Sequence, residues 1–198
     1  MMKTKAVIAV LGLAGAALAF PAVAQVNWSS AYIGGGLGQS KAKDGCTGFS
    51  GGSCDDSDTA FKIFGGYQFN RYIAAEIGYT DLGKTKASVG AQSLEVKASA
   101  WELSAVGSYP VMDQLSILGR LGAYYGEGKL SSNFGAGGNK KTTNVTFGLG
   151  VQYDFTKNFG VRGEWQRYSK IKTRDDTTGI EGESDVDVFG ASVLYRFQ

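Results

Sequence analysis

Histidine is absent from the 198 residues of this chain, and cysteine and proline occur only twice each. Without histidine, the chain lacks the side chain most often used as a general base near neutral pH. Two cysteines and no histidine are also too few for a typical metal centre. A carboxylate pair could still serve a glycosidase, but that chemistry needs an open sugar cleft. We therefore expect no enzymatic activity, no metal and no cofactor.

A long apolar run is also missing beyond the first 24 residues. The chain begins with two lysines, an uncharged apolar run at 6–20 and Ala-Val-Ala at 22–24. This is the pattern of a secretory signal peptide cleaved before Gln25. An N-terminal anchor is the alternative, but the run is short for a bilayer span. We predict a signal peptide at 1–24 and a mature domain at 25–198.

The mature chain has no charge of one dominant sign. Cleavage removes Lys3 and Lys5, which takes the basic residues from 20 to 18, equal to the 18 acidic residues. This balance gives no sign of a nucleic-acid partner. With no apolar run of about 18 residues left, no transmembrane helix is expected. Thirty glycines, eleven phenylalanines and ten tyrosines favour many strands, so a membrane location would require a barrel.

Alternation of apolar and polar residues is clearest over residues 59–83. Apolar residues share one parity on each side of a turn at 70–71: Phe61, Ile63, Tyr67 and Phe69 before it, and Ile73, Ala75, Ile77 and Tyr79 after it. The opposite parity carries Lys62, Gln68 and Glu76 besides Phe64, which is too polar for the inside of a β-sandwich. The pattern predicts a hairpin with one face towards lipid and the other towards a lumen.

The same alternation identifies eight strands, at 30–41, 59–69, 72–82, 96–109, 115–127, 143–155, 159–169 and 186–197. Short turns at 70–71, 110–114 and 156–158 alternate with long polar stretches at 42–58, 83–95, 128–142 and 170–185. An even number of strands, with both termini on the short-turn side, is typical of small bacterial outer-membrane barrels. We predict an all-β, eight-stranded antiparallel transmembrane β-barrel with its long loops outside the cell.

Six charged residues fall on the faces opposite the aromatic ones: Lys62, Glu76, Glu102, Arg120, Arg162 and Glu164. A soluble barrel of the lipocalin kind would show the same periodicity, but its exterior would carry more charge per strand. Small residues and balanced charges favour a narrow, filled lumen instead. Since an unpaired buried charge costs several kcal/mol, we expect a salt-bridge plug, with a gated ion path as the alternative.

Several short sequence motifs follow one another along the chain: Phe64-Gly65-Gly66-Tyr67-Gln68, Gly78-Tyr79, Tyr109-Pro110, Arg120-Leu121-Gly122, the set Arg162, Glu164 and Gln166, and Tyr195-Arg196-Phe197. Together they resemble the transmembrane domain of the OmpA family. The resemblance implies the outer membrane of a Gram-negative bacterium, an environment of lipid and lipopolysaccharide, and an internal charge network.

The sequence differs from the family pattern at two points, and its last residues resemble a further family feature. Val106 stands where the family pattern leads us to expect a lysine, and Gln152 where we expect a glutamate. Full-length members continue into a peptidoglycan-binding domain; this sequence stops at Gln198, so no cell-wall tether can be assigned to it. Tyr195 and Phe197 resemble the terminal signal read by the barrel-assembly machinery, which would make that machinery and periplasmic chaperones partners during biogenesis.

Two further groups lie in the polar stretches. Cys46 and Cys54 are close together in a secreted chain, which predicts a disulfide that pins a loop. A basic group near the outer loops would suit lipopolysaccharide phosphates: Arg167, Lys170, Lys172 and Arg174.

These features favour a non-enzymatic outer-membrane protein with a structural role in membrane integrity and with loops exposed at the surface. A narrow porin-like channel for ions or small solutes is one alternative. A surface adhesin, acting through its extracellular loops on an unidentified host or cell-surface ligand, is the other.

Overall fold

A computed structural model describes residues 30–43, 53–89, 92–132, 137–174 and 181–197. The predicted signal peptide and Cys46 lie outside these residues. The described strands are β1 Ser30–Ala42, β2 Ser53–Asp55, β3 Ser57–Asn70, β4 Ile73–Val89, β5 Gln92–Pro110, β6 Leu115–Ser132, β7 Gly137–Asp154, β8 Phe159–Arg174 and β9 Glu181–Arg196. Among the described residues, no helix has the length and apolar character needed to cross a membrane.

Eight of these strands close into an antiparallel barrel. Their order is β4-β3-β1-β9-β8-β7-β6-β5, and β5 pairs back to β4. The first and last strands pair with each other, with Tyr32 opposite Arg196 near the short-turn end. The three-residue strand β2 pairs only with the outer end of β4, at Cys54 opposite Ala87. The predicted eight-stranded barrel is confirmed.

The prediction of long outer loops at 83–95, 128–142 and 170–185 is wrong. Strands β4, β6 and β8 continue through most of these stretches as two-stranded ribbons with their neighbours. Some of the residues that face each other across the ribbons carry opposite charges, as at Glu127 and Lys141. Beyond the membrane neither face of a ribbon must be apolar, so the alternation that marks the inner part of each strand disappears.

Two β-bulges lie near the outer ends of the barrel strands. One shifts the register of β4 between Asp81 and Lys84, where Gly83 has a φ of 73°. The other shifts β8 between Tyr168 and Ile171, where Lys170 has a φ of 56°. Bulges bend a strand and increase its twist, so these two sites allow the ribbons to turn away from the barrel wall.

The outer surface of the barrel is apolar, as the alternation predicted. Ile77, Leu103 and Leu149 are each about 60% exposed, an exposure that only a lipid environment stabilises. Aromatic side chains form an outer and a periplasmic band, with close pairs such as Tyr79–Trp101 and Tyr153–Phe155. On β5, Trp101 of the outer band and Tyr109 of the periplasmic band are eight residues apart. This spacing corresponds to roughly 27 Å along the strand, and to roughly 20 Å along the membrane normal at a strand tilt of about 40°.

Two apolar layers pack inside the barrel. The periplasmic apolar layer consists of Tyr32, Phe64, Ala74, Val106, Leu118 and Leu194. The outer apolar layer consists of Ala60, Leu82, Ala100, Tyr124, Tyr168, Ile171, Val186 and Val188. The polar side chains of the lumen lie between these layers.

Candidate functional site

The six charged residues singled out in the sequence all project into the lumen, where they form one connected group. They come from five strands: Lys62 from β3, Glu76 from β4, Glu102 from β5, Arg120 from β6, and Arg162 and Glu164 from β8. We call them the lumen network. Three are bases and three are acids, so the group is electrically balanced.

Arg120 lies at the centre of the lumen network. Its guanidinium donates to Glu76 Oε2, to Glu102 Oε1 at 3.3 Å and to Glu164 Oε2 at 3.1 Å. The side chain is only 1% exposed. One planar group with five N–H donors can serve three carboxylates at once, which a lysine ammonium at this position could not do with the same geometry.

Arg162 holds the periplasmic side of the lumen network. It donates to Glu76 Oε1 at 2.6 Å and, through Nε and Nη2, to Gln152 Oε1 at 3.2 and 3.0 Å. Its guanidinium also lies 5.2 Å from the centroid of the Phe64 ring. The Tyr32 hydroxyl donates to Glu76 Oε1 at 2.6 Å, so both oxygens of this carboxylate are satisfied. Gln152, which replaces the expected glutamate, is therefore an acceptor for Arg162.

Lys62 holds the outer side of the lumen network. Its ammonium lies 2.8 Å from Glu102 Oε1, 3.2 Å from Glu164 Oε1 and 2.5 Å from Gln166 Oε1. Glu102 Oε2 accepts hydrogen bonds from Gln166 Nε2 at 2.6 Å and from the Tyr168 hydroxyl at 2.7 Å. Each ammonium proton and each Glu102 oxygen is thus within reach of a partner.

The sequence reasoning did not assign Tyr32, Gln166, Tyr168 or Thr146 to this group. Tyr168 and Gln166 have the parity of Arg162 and Glu164 on β8, so alternation alone would have placed them inside. Thr146 completes the set by accepting from Gln166 Nε2 at 2.8 Å.

Glycines on neighbouring strands make room for the charged side chains. Their pairings are Gly36 beside Lys62, Gly66 beside Glu76, Gly78 beside Glu102, Gly148 beside Arg120, and Gly150 and Gly190 beside Glu164. At Gly66 an added Cβ would collide with the Tyr32 ring. A narrow eight-stranded lumen can therefore hold long side chains because the adjacent inward positions carry none.

Cavities lie at the two ends of the lumen, and the periplasmic one reaches Arg162 at the edge of the lumen network. The periplasmic cavity is about 370 Å³ and includes Val106 and Leu194 in its lining, while the outer cavity is about 270 Å³ and includes Leu82 and Ile171. Beside Lys62 lies a pocket of about 30 Å³, roomy enough for about two water molecules. The barrel interior is thus a packed filling of three layers.

The basic group predicted on β8 does not form one open patch. Arg167 donates to both carboxylate oxygens of Asp187, at 2.6 and 2.8 Å. Lys170 Nζ lies 4.0 Å from Glu183, and Lys172 is half-buried. The side chain of Arg174 and the predicted Cys46–Cys54 link lie outside the described part of the chain. Tyr195 and Phe197 point outward on the last strand, with ring centroids 5.0 Å apart.

A closed antiparallel barrel with an apolar belt, two aromatic bands and a filled polar lumen is the architecture of a bacterial outer-membrane protein. The chain belongs to the OmpA-like transmembrane domain family, whose sequence model matches residues 27–198. It is 31% identical over 211 residues to outer membrane protein A of Serratia marcescens, and 32% identical over 203 residues to that of Salmonella typhi. These alignments cover 99% of this chain and 56% of each relative, so the chain spans a little over half the length of these relatives.

Solved outer-membrane structures share the fold. Ail, the attachment invasion locus protein of Yersinia pestis, superposes with a TM-score of 0.55 at 21% identity, covering 85% of this chain and 99% of Ail. Neisserial surface protein A superposes with a TM-score of 0.57 at 16% identity, covering 84% and 97%. At these identities the likeness shows the fold alone. The family and the fold together locate the protein in the outer membrane of a Gram-negative bacterium.

Proposed function

We propose that this protein is a non-enzymatic structural barrel that supports the integrity of the outer membrane and has a sealed lumen. The observation that carries the proposal is the three-layer filling, in which the lumen network lies between two apolar layers. Charges bound to opposite charges leave no open ring of like sign to select ions. Apolar constrictions exclude water as well, so they oppose ion passage independently of the charges.

The arrangement of the carboxylates also supports a non-enzymatic role. Glu76 and Glu102 are almost fully buried, and each is held by a base and a tyrosine hydroxyl. Acid and base catalysis on a sugar requires two carboxylates that flank an accessible bond. Here the carboxylates are enclosed by their own partners.

Conductance of the refolded mature protein in a planar bilayer tests the sealed lumen. We expect the wild type to be silent. Arg120→Ala should be silent too, because the apolar layers above and below the lumen network remain. Heat-dependent gel mobility would confirm that both proteins are folded. Defined openings in the wild type would favour the porin-like channel, and openings in Arg120→Ala alone would show that the charges by themselves close the path.

We further propose that the barrel contacts lipopolysaccharide through a lysine row formed by Lys84, Lys97 and Lys129. Lys84 is paired with Lys97 across β4 and β5, and Lys97 with Lys129 across β5 and β6. Their side chains are 38%, 55% and 60% exposed. The row lies just outside Tyr79 and Trp101 of the outer aromatic band, at the level of lipid phosphates.

The chemistry of the lysine row supports this contact. A groove of about 440 Å³ runs along the row. Glu95 lies 3.2 Å from Lys84 and 3.6 Å from Lys97, and hydrogen bonding to Glu95 raises the pKa of Lys84. An ammonium has three donors, so lysines with one carboxylate partner can still bind phosphate.

A triple Lys→Gln variant of the lysine row separates this site from the β8 group predicted in the sequence. We expect the triple variant to retain less lipopolysaccharide after purification than the wild type. A matched triple Gln variant at Arg167, Lys170 and Lys172 should retain nearly as much as the wild type. The reverse order would assign the contact to β8, and equal retention in all three proteins would remove both sites.

We also propose that Tyr195 and Phe197 form the signal recognised by the barrel-assembly machinery, after delivery by periplasmic chaperones. Both rings are exposed at the end of the last strand, where another protein can reach them. Phe197→Ala should slow assembly of the barrel in cells without a matching loss of stability in the refolded protein. A parallel loss of stability would assign the residue a packing role instead.

A further inference from the structure

The periplasmic cavity has a chemistry that the sealed barrel does not use. It lies below the periplasmic apolar layer, opens next to the short turns and has a volume of about 370 Å³, within the range of small-molecule sites. Its polar walls include Gln68, Ser108 and Ser116. Arg71 and Arg196 line it near the turns, and Arg162 of the lumen network lines its inner end. We call it the periplasmic vestibule.

Arg196 has an incompletely bonded guanidinium in this vestibule. Nη1 donates to the Lys157 carbonyl at 3.4 Å, and Nη2 lies 3.6 Å from Asp154 Oδ1, beyond an ordinary hydrogen bond. Nε is buried and has no acceptor among the described residues. Because Nε has almost no accessible surface, the donors that can face a ligand are the weakly bonded Nη1 and Nη2 groups.

The charges around Arg196 favour an anion as that partner. The lining carries three arginines, Arg71, Arg162 and Arg196, against two aspartates, Asp113 and Asp154. Asp154 Oδ1 also accepts a hydrogen bond from Gln152 Nε2 at 2.9 Å. Arg71 adds a second guanidinium at the mouth, held 4.8 Å from the centroid of the Tyr72 ring. Asp113 is the remaining acid of the lining, on the exposed turn. The two terminal Nη groups of an arginine match two oxygens of a carboxylate or phosphate.

We propose that the periplasmic vestibule binds a small organic oxyanion, a carboxylate or a phosphate, that enters from the periplasm. Arg196 contacts the anionic group and Arg71 attracts it at the mouth. The hydroxyl and amide groups of the walls suit a polar body, while Ala74 and Val106 limit how deep it reaches. The inner end of the site reaches Arg162 of the lumen network, but Glu76 and Gln152 already hold that guanidinium. The site binds its ligand whether or not the lumen conducts.

The test uses the mature protein refolded in nanodiscs of zwitterionic lipid and titrated with inorganic phosphate, with acetate and with neutral glycerol. We expect saturable changes in the backbone amide NMR signals near Arg196 and Asp154, with either anion or both, and none with glycerol. Signals near Thr80, which is fully buried in the outer half of the lumen, should not change. Saturation by phosphate alone or acetate alone would identify the group that the site prefers.

Variants assign the binding to the guanidinium. Arg196→Gln should weaken binding about tenfold or more, because a charged hydrogen bond is lost. Arg196→Lys keeps the charge but loses the planar pair of Nη donors, and we expect it to weaken binding as well. Lys157→Gln removes an exposed charge outside the vestibule and should bind like the wild type. Equal binding in Arg196→Gln and the wild type, or no saturable change with either anion, would overturn the proposal.

Discussion

Replacing Arg120 with methionine would measure how far the barrel depends on balance within the lumen network. The change removes hydrogen bonds to three carboxylates and leaves Glu76, Glu102 and Glu164 facing only Lys62 and Arg162. Breaking a buried ion pair from one side typically costs about 3–5 kcal/mol, because the remaining charge is uncompensated. We expect a loss of that size in the free energy of unfolding.

A second substitution distinguishes charge imbalance from lost packing. Arg120→Met combined with Glu76→Gln leaves two bases and two acids, and the new amide oxygen can still accept from Arg162. The double variant should recover most of the loss, to within about 1–2 kcal/mol of the wild type, since a balanced replacement of buried charges is often nearly neutral.

Urea unfolding of both variants in lipid vesicles, followed by tryptophan fluorescence, gives the free energies of unfolding. A loss below about 1 kcal/mol for Arg120→Met would refute the central role of this residue. A double variant less stable than the single one would refute the argument from charge balance.

Three further changes have defined expected results. Gly66→Ala should lower the free energy of unfolding by about 1–3 kcal/mol because the new methyl group meets the buried Tyr32 ring. Gly119→Ala, with open space around it, should be nearly neutral, and the urea midpoints of both variants measure the effect. Tyr168→Phe removes hydrogen bonds to a carboxylate and a threonine and should cost about 1–3 kcal/mol, and no loss would mean that these bonds are not formed in the membrane. Mutating Cys46 and Cys54 to serine should leave the unfolding midpoint nearly unchanged and speed proteolysis of the outer loop, and a large drop in the midpoint would contradict a role confined to that loop.

The sequence was sufficient to predict the strands and the charges inside them, because alternation in a membrane barrel must be strict. Lipid tolerates no polar face, so each charged residue on an apolar strand had to point inward. The apolar layers were harder to predict. Phe64, Val106 and Leu118 have the same parity as the charges, and nothing in a linear pattern shows that they pack into one layer around the barrel.

The wrong prediction of long outer loops and the prediction of an open basic group on β8 share a physical origin at the outer end of the barrel. Outside the membrane, hydrogen-bonded ribbons need no apolar face, so β4, β6 and β8 continue where the sequence indicated loops. Tyr168 has the inward parity within the predicted strand 159–169, but its hydrogen bond crosses the lumen to Glu102 on β5, which the pattern of one strand does not reveal. The bidentate contact of Arg167 with Asp187 depends on the register of β8 against β9, which a single strand does not reveal.

The lumen network also imposes an order on assembly. Glu76, Glu102 and Arg120 lie on three consecutive strands, so a growing sheet of β4–β6 can join them while it still carries one excess negative charge. Lys62 and Glu164 meet across the lumen from β3 and β8, which are separated in the barrel by β1 and β9. Adding β3 balances the charges, but the contacts of Lys62 with Glu164 and of Arg162 with Glu76 join strands that are far apart in an open sheet. These contacts form when the first and last strands pair, so electrostatic energy rewards closure of the ring over a partly inserted sheet.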